Sequence, residues 1–202
     1  MEPDCRPSHP FKLRVATYNI LNTSDRYDER EGLLKKNLYE LNADVVGLQE
    51  VAFGPEQLDE LVRPRGRHGV EHFGRTEGYK TYEAPFQMPE FHAESLPDPR
   101  ARCDGNAILV DSHLTKGGQY KITKHEVLHL SAFLNCQRLE LTLADGSRAH
   151  IVNLHLHDLV PEEQVRLHQA QNVVYWINKR AKPEDLVIIM GDFNALPEGE
   201  TV

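Results

Sequence analysis

Residues 185–195 read Asp185-Leu-Val-Ile-Ile-Met190-Gly-Asp192-Phe-Asn194-Ala195. The unbroken apolar run Leu186–Met190 has the character of a strand buried on both faces. It ends in Gly-Asp-Phe-Asn, a turn that sets a carboxylate and an amide at the strand's C-terminal end. Such a strand needs partners on both sides; the chain upstream offers some, and the expectation is that one that should cover or pair with it is absent. Pro161 opens a helix to about Ala181, with Glu162 and Glu163 in its first turn and an apolar stripe of Val165, Val173, Val174, Trp176 and Ile177. Before it, Tyr120–Leu130, Gln137–Ala144 and Ala149–Leu156 alternate as strands, the last two joined by the hairpin signal Asp145-Gly146. Asn106–Val110 reads as another strand.

Towards the N-terminus, Leu13–Leu21 alternates as a first strand. Acids at Asp28, Glu29 and Glu31 then open a helix with Leu33, Leu34, Leu38 and Leu41 at helical spacing. Ala43–Val51 forms a second short strand ending in Gln49-Glu50, and Pro55–Val62 a second short helix. Residues 63–104 are rich in Gly, Pro, His and charge, a long connection with one strand near Lys80–Glu83. Residues 1–12 carry three prolines and read as a flexible leader. The order predicts one mixed α/β domain over 13–202.

Composition narrows the chemistry. Apolar residues make up 40% of the 202, a globular proportion, and 31 acids against 23 bases give a net charge of −8. That balance disfavours a protein that holds nucleic acid by bulk charge, but not an enzyme that meets phosphate through a metal ion. Cys5, Cys103 and Cys136 form no CxxC pair, so neither a disulfide scaffold nor a zinc ribbon is expected. No signal peptide or membrane-length apolar run is present, and an intracellular (cytoplasmic or nuclear) monomer is the expectation.

Several strands end in groups able to meet metal or phosphate: Asn19, Glu50, His155, and Asp192 with Asn194. Strand ends in α/β folds converge on ligand-binding mouths. Glu50 and Asp192 are hard oxygen donors that suit Mg²⁺ or Mn²⁺. Taken singly, each also reads as an ordinary turn or solvated residue.

Together, Thr17-Tyr-Asn19-Ile-Leu, Val46-Gly-Leu-Gln-Glu50-Val, Asp104-Gly-Asn106-Ala-Ile-Leu, Asn153-Leu-His155-Leu and Gly191-Asp192-Phe-Asn194-Ala resemble, in order, the motifs of the endonuclease/exonuclease/phosphatase family. These are deoxyribonuclease I-like, metal-dependent phosphodiesterases. The resemblance implies a four-layer α/β/β/α sandwich, two facing mixed β-sheets flanked by helices, incomplete at the C-terminus. It also implies that Glu50 binds Mg²⁺ or Mn²⁺, with Asn19 helping to fix metal or phosphate. By the same match His155 contacts the scissile phosphate, Asp192 orients the attacking water, Asn194 holds water and phosphate, and Asn106 lies near the phosphate. The substrate class it implies is a phosphate ester: nucleic acid, phosphoinositide or a phospholipid headgroup.

The family also carries a late Ser-Asp-His segment, which this sequence lacks. The expectation is therefore a truncated domain, about the first two-thirds, with impaired turnover, since losing one of a cooperating catalytic set costs orders of magnitude in rate. A non-catalytic binding fragment of the same fold is the alternative. Two zinc readings compete less well. His125-Glu-Val-Leu-His129 spells HExxH, but nothing caps a helix there. His155-Leu-His157-Asp158 could offer a histidine pair, with further ligands unassigned.

Overall fold

The computed structural model describes residues 12–21, 27–52, 58, 61, 79–85, 104–111, 120–131, 134–158 and 162–196. The expected leader, apart from Lys12, and most of the 63–104 connection lie outside them. The elements are β1 (Val15–Asn19), α1 (Tyr27–Glu40), β2 (Val45–Ala52), β3 (Tyr79–Pro85), β4 (Asp104–Asp111), β5 (Tyr120–His129), β6 (Asn135–Leu143), β7 (Arg148–His155), α2 (Glu163–Asn178) and β8 (Leu186–Asp192). Of the short helix expected at 55–62, only Leu58 and Leu61 are described; both are helical and buried.

Two four-stranded sheets form, ordered β1-β2-β4-β3 and β5-β6-β7-β8. In the first, β1 runs parallel to β2 and the other pairs are antiparallel. In the second, β7 and β8 are the parallel pair. Both sheets are therefore mixed, and the sandwich expected from the sequence is the one observed.

Three apolar layers hold it together. Between the sheets, Val45, Ile108 and Val110 meet Leu139, Leu141, Ala149, Ile151 and Met190. Outside the first sheet, Leu34 and Leu38 of α1 cover Val46, Leu48 and Leu109. Outside the second, Val173, Trp176 and Ile177 of α2 cover Val152 and Leu154. Of the four leucines expected to face inward from α1, Leu33 and Leu41 are exposed, because residue 33 lies about 100° around the helix from 34 and Leu41 follows the last turn. The α2 stripe shifts in the same way: Val165 and Val174 are exposed, while Arg166 and Gln169 are buried. The Arg166 guanidinium is paired to Glu163, and the Gln169 carbonyl accepts from the His157 backbone N–H at 2.9 Å.

The β6–β7 hairpin turns at Asp145-Gly146 as expected. Gly146 takes φ +82°, a region closed to most side chains, and Asp145 accepts from both Ser147 N–H and Oγ–H.

One expectation fails. β8 is not a central strand buried on both faces but the edge of the second sheet among the described residues, with Leu186 and Ile189 46% and 39% exposed. Continuous apolarity reports side chains that favour burial; it does not count neighbouring strands. β8 lies against β1, the edge of the first sheet, and neither carries a charge before Asp192. The opposite edges, β3 and β5, carry Glu83, Lys121, Lys124 and Glu126, charged residue types that blunt a sheet edge. Among the described residues no helix is long and apolar enough to cross a membrane.

Candidate active site

The two parallel strand pairs, β1–β2 and β7–β8, end at the same mouth. Polar residues replace apolar ones as the inter-sheet layer approaches it. Ile108, Leu139 and Ile151 give way to Asn106, Gln137 and Asn153 on the same strands, two residues nearer the mouth, all fully buried.

Glu50 reaches the mouth through a β-bulge. The β2–β4 register runs regularly to Leu48↔Ala107 and resumes at Val51↔Gly105, so Gln49 and Glu50 together face Asn106. Glu50 has φ +54°, a left-handed conformation rare for a side-chain-bearing residue and costing about 1–3 kcal/mol. The bulge lets Gln49 point into the interior while Glu50, partly exposed, turns to the opening.

Asn19 links the two sheets at this point. Its Nδ2 donates to Glu50 Oε1 at 2.8 Å and to Asp192 Oδ2 at 2.9 Å. The Leu21 backbone N–H donates to Asn19 Oδ1 at 3.0 Å, which fixes the amide so that its two N–H groups face the carboxylates. The turn behind it is clamped by Arg30, whose guanidinium donates to the carbonyls of Ile20 (3.2 Å) and Leu21 (2.6 Å). Leu21 itself sits at φ +47°.

Asp192 is held from its other side as well. Its Oδ1 accepts from Asn194 N–H at 3.0 Å, and Asn194 Nδ2 donates to the Leu156 carbonyl at 2.9 Å. Asn194 too is left-handed, at φ +49°. Gly191 makes the close approach of β8 to β7 feasible: a Cβ there would lie 2.0 Å from the Leu154 carbonyl oxygen, and its φ is +144°. His155 stands across from Asp192 in the β7–β8 register, 6% exposed, with a buried Nδ1 that has no hydrogen-bond partner among the described residues.

The structure thus gathers Asn19, Glu50, Asp192, Asn194 and His155 from four strand ends. Asn106 stands apart from the hydrogen bonds among Asn19, Glu50, Asp192 and Asn194. It is wholly buried, and its Nδ2 donates across the sandwich to the carbonyl (2.9 Å) and Oδ1 (2.8 Å) of Asn135, while its own Oδ1 has no partner among the described residues. Gln49, Asn153 and Arg30 also support the mouth, and the sequence alone assigns them no role. For Gln49 and Asn153 the signal available is a polar residue at an inward-facing strand position, a break in the apolar pattern of the kind that marks functional sites; Arg30, on α1, carries no such signal.

The donors at the mouth are carboxylate, amide and imidazole groups. Among the described residues no three His, Cys, Asp or Glu side chains cluster to hold a metal. A zinc centre would require three or four such ligands. Mg²⁺ or Mn²⁺ fits the donor set better, because such ions keep several waters and rest on one or two carboxylates plus substrate oxygens. Glu50 and Asp192 would be those carboxylates. In this geometry Asn19 offers them N–H groups, so it spaces the pair, its carbonyl oxygen already accepting from Leu21.

Both zinc readings lose their geometry. His125 and His129 lie on strand β5, not on a helix, and Glu126 is engaged by Arg138 and Arg180. His157 pairs with Glu162 at 2.8 Å, whereas His155 is buried at the mouth.

A second polar cluster lies on the outer face of the second sheet. Buried Arg138 contacts Glu126, Glu140 (3.3 Å) and His150 Nδ1, and Asp185 accepts from His150 Nε2 at 3.0 Å and from Arg148 at 2.6 Å. Burial pushes the Asp185 carboxyl up, but the Lys182 backbone N–H, His150 and Arg148 outweigh it and bring it down to about 2. Against burial, Thr123 and Arg138 hold Glu140 low, and Arg138 and Arg180 hold Glu126 low.

Residues 16–201 match the family described as Endonuclease/Exonuclease/phosphatase family. The chain is 27% identical to mouse (Mus musculus) 2',5'-phosphodiesterase 12 over 177 residues, covering 84% of this chain and 28% of that protein. It superposes on the human Nocturnin catalytic domain with bound sulfate anion at TM-score 0.67 and 20% identity, covering 94% of this chain and 66% of that one. ANGEL2, a 2',3'-cyclic phosphatase, gives TM-score 0.62 at 17% identity, covering 92% and 54%. The chain therefore spans little more than a quarter of the curated relative, and about half to two-thirds of these structures.

Proposed function

The chain belongs to the Endonuclease/Exonuclease/phosphatase family, and from that premise we propose that it is a phosphoric ester hydrolase whose site is the Asn19–Glu50–Asp192 mouth. The observation that carries this reading is the Asn19 amide, which draws carboxylates from two different sheets onto one nitrogen. Two carboxylates held so close in a partly buried site repel each other, and a divalent cation relieves that repulsion. Phosphoryl transfer asks mainly for positioning and for neutralisation of oxygen charge.

Mg²⁺ or Mn²⁺, when bound, supplies that neutralisation. Glu50, with Asp192 beside it, would hold the ion; Asp192 would orient the water that attacks phosphorus, and Asn194 keeps the Asp192 turn in place. His155 donates a hydrogen bond to a phosphate oxygen as charge develops on it.

As to substrate, the mouse relative is named for 2',5'-phosphodiesters and ANGEL2 for 2',3'-cyclic phosphates. These names favour nucleotide phosphodiesters over phosphoinositide or phospholipid headgroups. The test is hydrolysis of bis-p-nitrophenyl phosphate and a 2',5'-linked oligoadenylate by the full chain, with and without Mn²⁺. Activity that needs the cation and disappears in Glu50→Gln is expected. Activity indifferent to both would overturn the assignment.

A further inference from the structure

We propose that Asn153 is a positioning residue: its amide sets the distance between the half of the site carried by the first sheet and the half carried by the second. Asn153 is completely buried on β7. Its Nδ2 donates to the Leu48 carbonyl on β2 at 2.9 Å and to the Ala107 carbonyl on β4 at 3.1 Å. Its Oδ1 accepts from Gln49 Nε2 at 2.6 Å, and Gln49 in turn donates to Thr17 Oγ1 on β1 at 3.1 Å. One side chain of the second sheet is thus bonded directly to two strands of the first, and through Gln49 to a third.

Side chains of the second sheet press against the first here. A Cβ on Gly47 would lie 2.6 Å from Asn153 Oδ1 and 2.9 Å from the Met190 methyl, so any larger residue there would displace Asn153 or Met190. Apolar packing elsewhere between the sheets is non-directional and tolerates sliding. Three hydrogen bonds with fixed lengths and angles do not.

The site depends on that lock. Glu50 follows Gln49 directly at the bulge. His155 lies two residues beyond Asn153 on the same face of β7, and the β7–β8 ladder that pairs Asn153 with Met190 pairs His155 with Asp192. The path from Glu50 to Asp192 through the fold therefore runs β2, Asn153, β7, β8. The Asn19 bonds that close the gap at the mouth are partly exposed and would part if this inner link let the sheets shift.

The test is NMR on the full chain, following exchange of the Asn19 side-chain amide hydrogens, which sense both carboxylates at once. In Asn153→Ala those hydrogens should exchange about tenfold faster or more, while backbone amides of Val46, Ile151 and Val152 stay protected. Ile151→Ala, an inter-sheet core truncation one layer deeper, should lose stability and leave Asn19 exchange as in the wild type. If Asn153→Ala does not fold, Asn153→Asp is read instead, since it keeps the side-chain shape and the acceptor for Gln49. Unchanged Asn19 exchange in a folded variant, or failure of both variants to fold, would overturn the proposal and leave Asn153 a purely structural residue. The kinetic consequence rests on the hydrolase reading above: kcat falling about a hundredfold with KM nearly constant, as a displacement of about 1 Å costs. A wild-type chain without activity would defeat that reading, and the exchange measurement would still decide the role of Asn153.

Discussion

Replacing Asn19 by aspartate tests the mouth at its most charged point. The variant is nearly isosteric, but it puts a third carboxylate where an amide nitrogen now stands 2.8 Å from Glu50 and 2.9 Å from Asp192. At those separations and an effective dielectric of 20, each new contact would be repulsive by about 6 kcal/mol. The protein escapes most of this by keeping a proton on the cluster. Holding that proton costs about 1.4 kcal/mol for each pH unit above the ordinary aspartate value near 3.9, hence about 4 kcal/mol at pH 7 and about 1.5 kcal/mol at pH 5.

The sign follows from proton counts. In Asn19→Asp the folded chain keeps a proton that the unfolded chain has released, so stability relative to wild type falls as pH rises above about 4. Urea unfolding at pH 5 and pH 7, in chelator, measures the difference. The deficit against wild type should grow by about 2–3 kcal/mol over those two pH units and shrink on adding excess Mn²⁺. Asn19→Leu, which loses the donors without adding charge, should show a deficit independent of pH and no rescue by the ion. Equal deficits at both pH values for Asn19→Asp, with no response to Mn²⁺, would mean that the carboxylates do not converge in solution.

Gly191→Ala sets a Cβ 2.0 Å from a backbone oxygen that cannot rotate away, at φ +144°. It should destabilise the chain by about 3 kcal/mol or more in urea unfolding and weaken Mn²⁺ binding by separating β8 from β7; a loss below about 1 kcal/mol would contradict the close approach. Asp185, Glu126 and Glu140 titrate below their ordinary values, so each stabilises the fold above its unfolded value and loses that contribution as pH falls, Asp185 towards about 2. Asp185→Asn should flatten the acid limb of the stability curve, and a limb as steep as wild type would place the acid sensitivity elsewhere.

The parts of this molecule that were legible in sequence are those where one strand's own residues carry the signal. Gly-Asp-Phe-Asn and Leu-Gln-Glu each place a polar group at the end of an apolar run, and both groups end at the mouth. The Asp145-Gly146 turn needs only local backbone chemistry. What stayed hidden depends on partners far along the chain. Asn106 and Asn153 look alike in sequence, inward-facing asparagines on strands; that one meets Asn135 and the other meets Leu48, Ala107 and Gln49 is a property of how two sheets stack. Arg166 and Gln169 occupy the buried stripe of α2 because Glu163 and the His157 backbone satisfy them, which helical periodicity of apolar residues cannot report. The burial of β8 on both faces, expected from its apolar run, fails for a related reason: side-chain polarity describes faces, and an edge position is a matter of backbone pairing.

The proposed function requires that Glu50 and Asp192 share one cation-holding mouth with His155. Paramagnetic broadening by Mn²⁺ in NMR spectra of the full chain addresses this directly. Signals of the Asn19 side-chain amide, the His155 ring and the Asn194 backbone N–H should broaden together at low Mn²⁺ and recover sharp lines in Glu50→Gln. Broadening that instead centres on the Glu126–Asp185 face, or that persists unchanged in Glu50→Gln, would contradict it.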